Sequence, residues 1–251
     1  MGKVISLARF TLLQGLKERF FVGLLVLLLF AFAAVEYLGL LSLSDPVKVV
    51  TDLGTSSITF LSLALILFFA ITFLFKEKED GMLHLILSRP VSRPRYLIGR
   101  FLGFLLLLLP FVAAGFLLLG ATLLLLYHRA YPGMAWLAVA VSLELTVVLA
   151  FAVLASVFFS GQVTALLGTI SFYVVCQLSH QAAIIARQGN TPVAVRITLL
   201  VERVLPSFAL YQPFALAQAP AGYKAMLVLY TVIYSVAFLA MAAAILERKE
   251  L

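Results

Sequence analysis

The chain has very little of what soluble enzymes build their chemistry from. Among its 251 residues there are one cysteine, Cys176, one tryptophan and three histidines, and Asp, Glu, Lys and Arg together make up only 12%. A single cysteine excludes an intramolecular disulfide and any multi-cysteine zinc or iron-sulfur site. The phosphate-cradling pattern G-x-x-x-x-G-K-[ST] is missing, which excludes ATP hydrolysis by that route. H-E-x-x-H and G-x-S-x-G are missing as well, and the scattered His84, His128 and His180 pair with no nucleophile, which argues against an intramembrane protease. No nucleic-acid-binding motif accompanies the basic residues, so nucleic acid is not an expected partner.

What the chain has instead is apolar length. It is 64% hydrophobic with a mean hydropathy of +1.14, whereas a soluble domain is about half apolar and about one quarter charged. A helix needs roughly 20 apolar residues to cross a hydrocarbon core of about 30 Å. Six stretches qualify, at 20–41, 56–75, 101–126, 134–159, 163–185 and 223–246. Backbone polar groups in lipid must be paired within their own segment, so all six read as helices. An outer-membrane barrel would alternate polarity over strands of about ten residues; "FLGFLLLLLPFVAAGFLLLGATLLLL" is apolar on every side. The first run is too long for a cleavable signal and is expected to be retained. The expected fold class is an all-α integral membrane protein with six transmembrane helices in a single domain, 1–251.

Basic residues set the orientation. With the N-terminus inside, Lys3, Arg9, Lys17, Arg19, Lys76, Lys78, Arg89, Arg93, Arg95, Arg100, Arg248 and Lys249 face the cytoplasm, against Lys48, Arg129, Arg187, Arg196, Arg203 and Lys224 outside. Both termini are therefore expected in the cytoplasm, and the net charge of +7 reads as topology plus attraction to anionic membrane lipids.

Residues 1–19 have a two-sided pattern, with Val4, Ile5, Ala8, Leu12 and Leu16 on one side and Lys3, Ser6, Gln14 and Lys17 on the other. This predicts a helix lying in the cytoplasmic interface. The outer connections are a loop over 42–55, a tight turn at 127–133 and a long segment at 186–222. In the last, Thr191 is a plausible N-cap with Pro192 behind it, and Val193, Ile197, Leu200, Val201 and Val204 form an apolar stripe, which predicts a short amphipathic helix. The proline-bearing stretch after it either dips back into the membrane or packs as a surface loop. Residues 160–162 make a minimal turn, so the fourth and fifth crossings pair antiparallel.

The one sizeable charged block, at 76–100, joins the second and third crossings. Lys76, Glu77, Lys78, Glu79 and Asp80 alternate in sign, Gly81 breaks the run, and Met82 to Leu87 supply two apolar turns. Pro90 and Pro94 interrupt helix before them, while Ser92 can cap the third crossing. A short, charged, partly apolar helix held between two membrane helices is the physical description of a docking element.

In "EKEDGMLHLILSRPVSRPRYLIGRFLG" the chain resembles the signature loop of the ABC-2 type permeases, the membrane subunits of ABC exporters, and "LARFTLLQGLKERF" is similar to their N-terminal helix. The loop is also similar to that of the copper-accessory permease of nitrous oxide reductase maturation, which fixes no substrate. The resemblance implies that this connector is a coupling helix seated in a groove of a separate ABC ATPase. It implies two ATPase copies, which hold the ATP and Mg, and a second permease copy or a related permease; no cofactor is expected in this chain. The coupling residues it implies are Glu77, Glu79, Asp80, Gly81, Leu83, His84, Arg89, Pro90, Ser92 and Arg93. Met82 stands where the family has threonine and His84 where it has an acidic residue, and both bear on partner choice.

Ionisable groups inside crossings mark functional sites by default. Glu144 lies ten residues into the fourth crossing, about 15 Å from its outer end, and Glu36 lies near the outer end of the first. In the fifth, Gln177, His180 and Gln181 share a face and either line a pathway with Glu144 or bond across helices. Cys176 and His180, four apart, could supply two ligands to a soft metal, and no third is identifiable. The leading expectation is an inner-membrane ABC exporter permease. A stand-alone channel or secondary transporter is the alternative, although the paired broken helices of such transporters are not visible; a non-transporting scaffold on the same fold is a third.

Overall fold

The computed structural model describes residues 2–41, 45–79, 93–129, 133–188, 205–211 and 220–248. The chain is an all-α integral membrane protein with six helices long and apolar enough to cross a bilayer, and no strand occurs among the described residues.

The N-terminal helix α1 (Gly2–Lys17) stops where Glu18 turns extended, and the first crossing α2 (Arg19–Leu40) begins immediately after it. The second crossing starts at Pro46, ten residues before the apolar run suggests. Helix α3 (Pro46–Ile66) is capped by Asp45, whose carboxylate accepts the Lys48 N–H at 3.3 Å, with proline in the first turn. The expected 42–55 loop is corrected accordingly. Lys48 and Asp52 interrupt the run of apolar residues, but they lie on the less buried side of a helix whose Val50, Thr51, Gly54 and Thr55 are buried.

From Ile66 the crossing continues through one π-helical stretch, Leu67–Thr72, into α4 (Phe73–Glu79). A π turn carries an extra residue and is often found at functional sites. Here its Phe69, Ala70 and Ile71 are buried, and Thr72 accepts a hydrogen bond from the Gln162 side chain at 3.1 Å.

The third crossing, α5 (Arg93–Tyr127), has 35 residues, so it runs about 52 Å by helical rise, well beyond the hydrocarbon thickness. It begins eight residues before the expected start and therefore brings Tyr96 and Arg100 into packed helix. The most enclosed crossings are α3 and α6 (Met134–Phe158). Helix α6 packs on α5, on α7 (Gln162–Gln188) and on α8 (Ala221–Arg248). Phe151 of α6 stacks on Phe172 of α7 at 3.8 Å between ring centres, and Phe238 of α8 meets both rings edge-on.

Helix α1 lies along the start of α5, and the close approach depends on glycine. A Cβ on Gly103 would stand 2.4 Å from the Cβ of Thr11 and 3.0 Å from the Ala8 carbonyl oxygen. Small residues therefore face each other across this crossing. The packed face of α1 is centred on Ala8, Thr11 and Gly15, whereas Ile5 and Leu16, expected on the same side as Ala8, are exposed. Hydrophobic periodicity reports polarity, and the groove that the α5 glycines open selects for size instead.

Residues 208–211 settle part of the question about the proline-bearing stretch. The 3-10 turn Phe208–Tyr211 sits among the helices, with Phe208 edge-on to Phe172 and the Tyr211 hydroxyl 2.8 Å from Thr231 Oγ1. Thr231 is ten residues into α8, about 15 Å from its start. The Ser207 N–H donates to the Tyr230 hydroxyl at 3.0 Å, and the Tyr223 hydroxyl donates to the Leu210 carbonyl at 3.0 Å, which pins both ends of the turn. The predicted amphipathic helix at 191–204 lies outside the described residues.

Candidate functional site

Two places gather polar side chains inside an otherwise apolar bundle. The first is at the base of the connector between the second and third crossings. Glu77 was expected on a docking surface; it is instead buried, because α4 carries helix past Phe75 and turns this carboxylate toward α5. There it forms an ion pair with Arg100 and accepts a hydrogen bond from the Tyr96 hydroxyl. The same guanidinium donates to Thr11 Oγ1 of α1 at 2.8 Å, and Thr11 in turn donates to the Leu7 carbonyl at 2.9 Å. The rings of Tyr96 and Phe10 flank the guanidinium with centres 5.8 and 6.0 Å from its carbon. Three helices thus meet on one charged pair, which low dielectric makes strong and makes costly to leave half-complete.

Of the other predicted coupling residues, Glu79 closes α4 and Arg93 opens α5 as backbone positions. Asp80, Gly81, Leu83, His84, Arg89, Pro90 and Ser92 lie outside the described residues.

The second place is a cavity of about 400 Å³ between α3, α6 and α7, in the half of the bundle expected to face outward. Helix α6 contributes Glu144 and Val141, α7 contributes Tyr173 and Gln177, and α3 contributes a polar stripe of Asp52, Thr55, Ser56 and Thr59, with Phe60 and Leu63 beyond it. Glu144 is 7% exposed; its Oε1 has no hydrogen-bond partner, while the Tyr173 phenol engages the carboxyl. Glu144 and Gln177, predicted to share a pathway, are brought together here. Gln181 is exposed on α7 and does not line the cavity, and the side chain of His180 lies outside the described residues. Cys176 is fully buried, and no group of three His, Cys, Asp or Glu side chains comes together among the described residues. Glu36 lies apart from the cavity, with the Tyr127 phenol beside it.

Sequence reading assigned Asp52 and Thr55 to a loop and passed over Ser56 and Thr59 at the start of the second crossing. The signal was available: Asp52, Ser56 and Thr59 recur at spacings of four and three, one helical face leading into the apolar run. Tyr173 carried no such signal, since one tyrosine in an apolar helix is commonplace.

Six apolar crossings, with a cavity bearing polar groups between three of them, define a polytopic helical membrane protein. The chain matches the family described as ABC-2 family transporter protein over residues 7–251, and it belongs to that family. It is accordingly a multi-pass membrane permease of an ABC-type transporter. No curated protein matches it.

Proposed function

We propose that the chain is the permease subunit of an ATP-driven exporter in the cytoplasmic membrane, with both termini in the cytoplasm. A separate ATPase, present in two copies, binds ATP and Mg and supplies the energy. Two permease copies, or this chain and a related permease, enclose the pathway between them. The connector over 80–92, flanked by Glu79 and Arg93, is the element the ATPase grips.

The observation that supports this reading is the buried Glu77 to Arg100 pair. The connector leaves three residues after Glu77 and returns seven residues before Arg100. Its two arms are therefore cross-bound at their base, and Thr11 joins α1 to the same point. A pull on a loop built this way moves three helices together instead of being lost in bending one. A connector with no mechanical role has no need of a buried charge at its root, where an apolar pair would serve stability as well or better.

Co-purification tests the proposal. An ATPase should come down with the tagged chain from its native membrane, and the double substitution Glu79→Ala with Gly81→Leu should release it while the permease itself stays folded. Solute movement by the purified chain with no ATPase present would transfer the reading to a stand-alone channel.

A further inference from the structure

We infer that the cavity between α3, α6 and α7 binds an organic cation with an apolar body. This deepens the permease reading, on which it rests, by naming a substrate class for the same chamber. Two carboxyl groups, those of Asp52 and Glu144, line it, and among the described residues no Lys, Arg or His does. The nearest cation in sequence, Lys48, stands one turn before Asp52 on α3 and is exposed, and it forms no ion pair with it. Glu144 is more than nine-tenths buried with Oε1 unpartnered, so the cavity holds an acceptor whose complement is not supplied by the protein.

The hydroxyls around it point the same way. Ser56 donates its proton to the Asp52 carbonyl at 2.8 Å and Thr59 donates to the Thr55 carbonyl at 2.9 Å. These two hydroxyls have each spent their one donor on their own helix, which leaves only lone pairs for a ligand. Thr55, whose Oγ1 has no partner, and the Gln177 amide keep donors in the lining, so its preference is set by the two carboxyl groups. An anion would meet two carboxyl groups, and a neutral apolar molecule would leave Glu144 Oε1 without a partner. A cation answers the carboxylate, while the rings of Phe60 and Tyr173 and the side chains of Leu63 and Val141 suit an apolar body. The volume is that of a drug-sized ligand site.

The test uses the full-length chain in lipid nanodiscs with tetraphenylphosphonium as the probe and tetraphenylborate, its anionic counterpart of like shape, as competitor. Saturable cation binding is expected that the borate does not displace. Glu144→Gln should weaken it at least tenfold and Glu144→Asp should retain it, which separates loss of charge from loss of fold. Glu36→Gln, which removes an intramembrane carboxyl outside the cavity, should leave it unchanged. Equal binding of cation and anion, or undiminished cation binding in a folded Glu144→Gln protein, overturns the inference. If an ATPase co-purifies and the cation preference is missing, this inference falls alone; if cation binding follows Glu144 and no ATPase partners the chain, the cation site stands and the ATP-driven reading falls.

Discussion

Glu77 and Arg100 are both shielded from water, so removing either one leaves the other as a lone buried charge. Glu77→Gln is expected to cost about 3–5 kcal/mol, and the double substitution Glu77→Gln with Arg100→Met should recover much of that loss, because no uncompensated charge remains. Unfolding in mixed micelles measures both. A double variant no better than the single one would mean that the pair does not act as a unit. Thr11→Val deletes the acceptor for one guanidinium donor and is expected to cost about 1.5–3 kcal/mol. The sequence showed these residues as members of a basic or charged cytoplasmic block. It could not show that α4 and α5 run far enough to face each other across Glu77 and Arg100, because helix ends beyond an apolar run are set by partners rather than by composition. Glu144, by contrast, stood out in the sequence as a candidate, since a carboxyl in a long apolar run is costly, and the structure places it in the cavity wall.

At the level of elements, the contact between α1 and α5 turns on the missing side chain of Gly103. Gly103→Ala places a methyl group against Thr11 and the Ala8 backbone, and only the side chain can yield. The substitution is expected to cost about 1–3 kcal/mol and to loosen α1, read as faster amide exchange in residues 4–15 than in the parent protein. Unchanged exchange would show that α1 is held elsewhere. The six crossings themselves were legible, because length and apolarity in lipid admit only helix. The start of α3 was not, since Lys48 and Asp52 break an apolar count without breaking a helix. The π turn at 67–72 was not legible either: "LFFAIT" has the composition of any buried helical turn, and an extra residue per turn leaves no mark in composition.

For the whole molecule, sidedness is the quantity to measure. In a Cys176→Ala background, a cysteine placed at the exposed Arg129 position should react with a membrane-impermeant maleimide on intact cells, and one at the exposed Ser160 position only after the membrane is opened. The reverse pattern would invert the topology and put the connector on the outer face. Basic-residue asymmetry is what predicts that topology; the chamber was only partly legible, since its walls come from three helices far apart in sequence. One of those walls has a further property. The second crossing is continuous from Pro46 to Glu79, and Asp52 and Glu77 lie 25 residues apart on it, about 37 Å along its axis. The same rod therefore borders the chamber near one end and carries half of the buried ion pair at the other. On the proposed function, a tilt of this rod that widened the chamber mouth would load that pair. The pair would then act as a detent, a resting notch at the far end of the shaft, and weakening it should make the mouth easier to open.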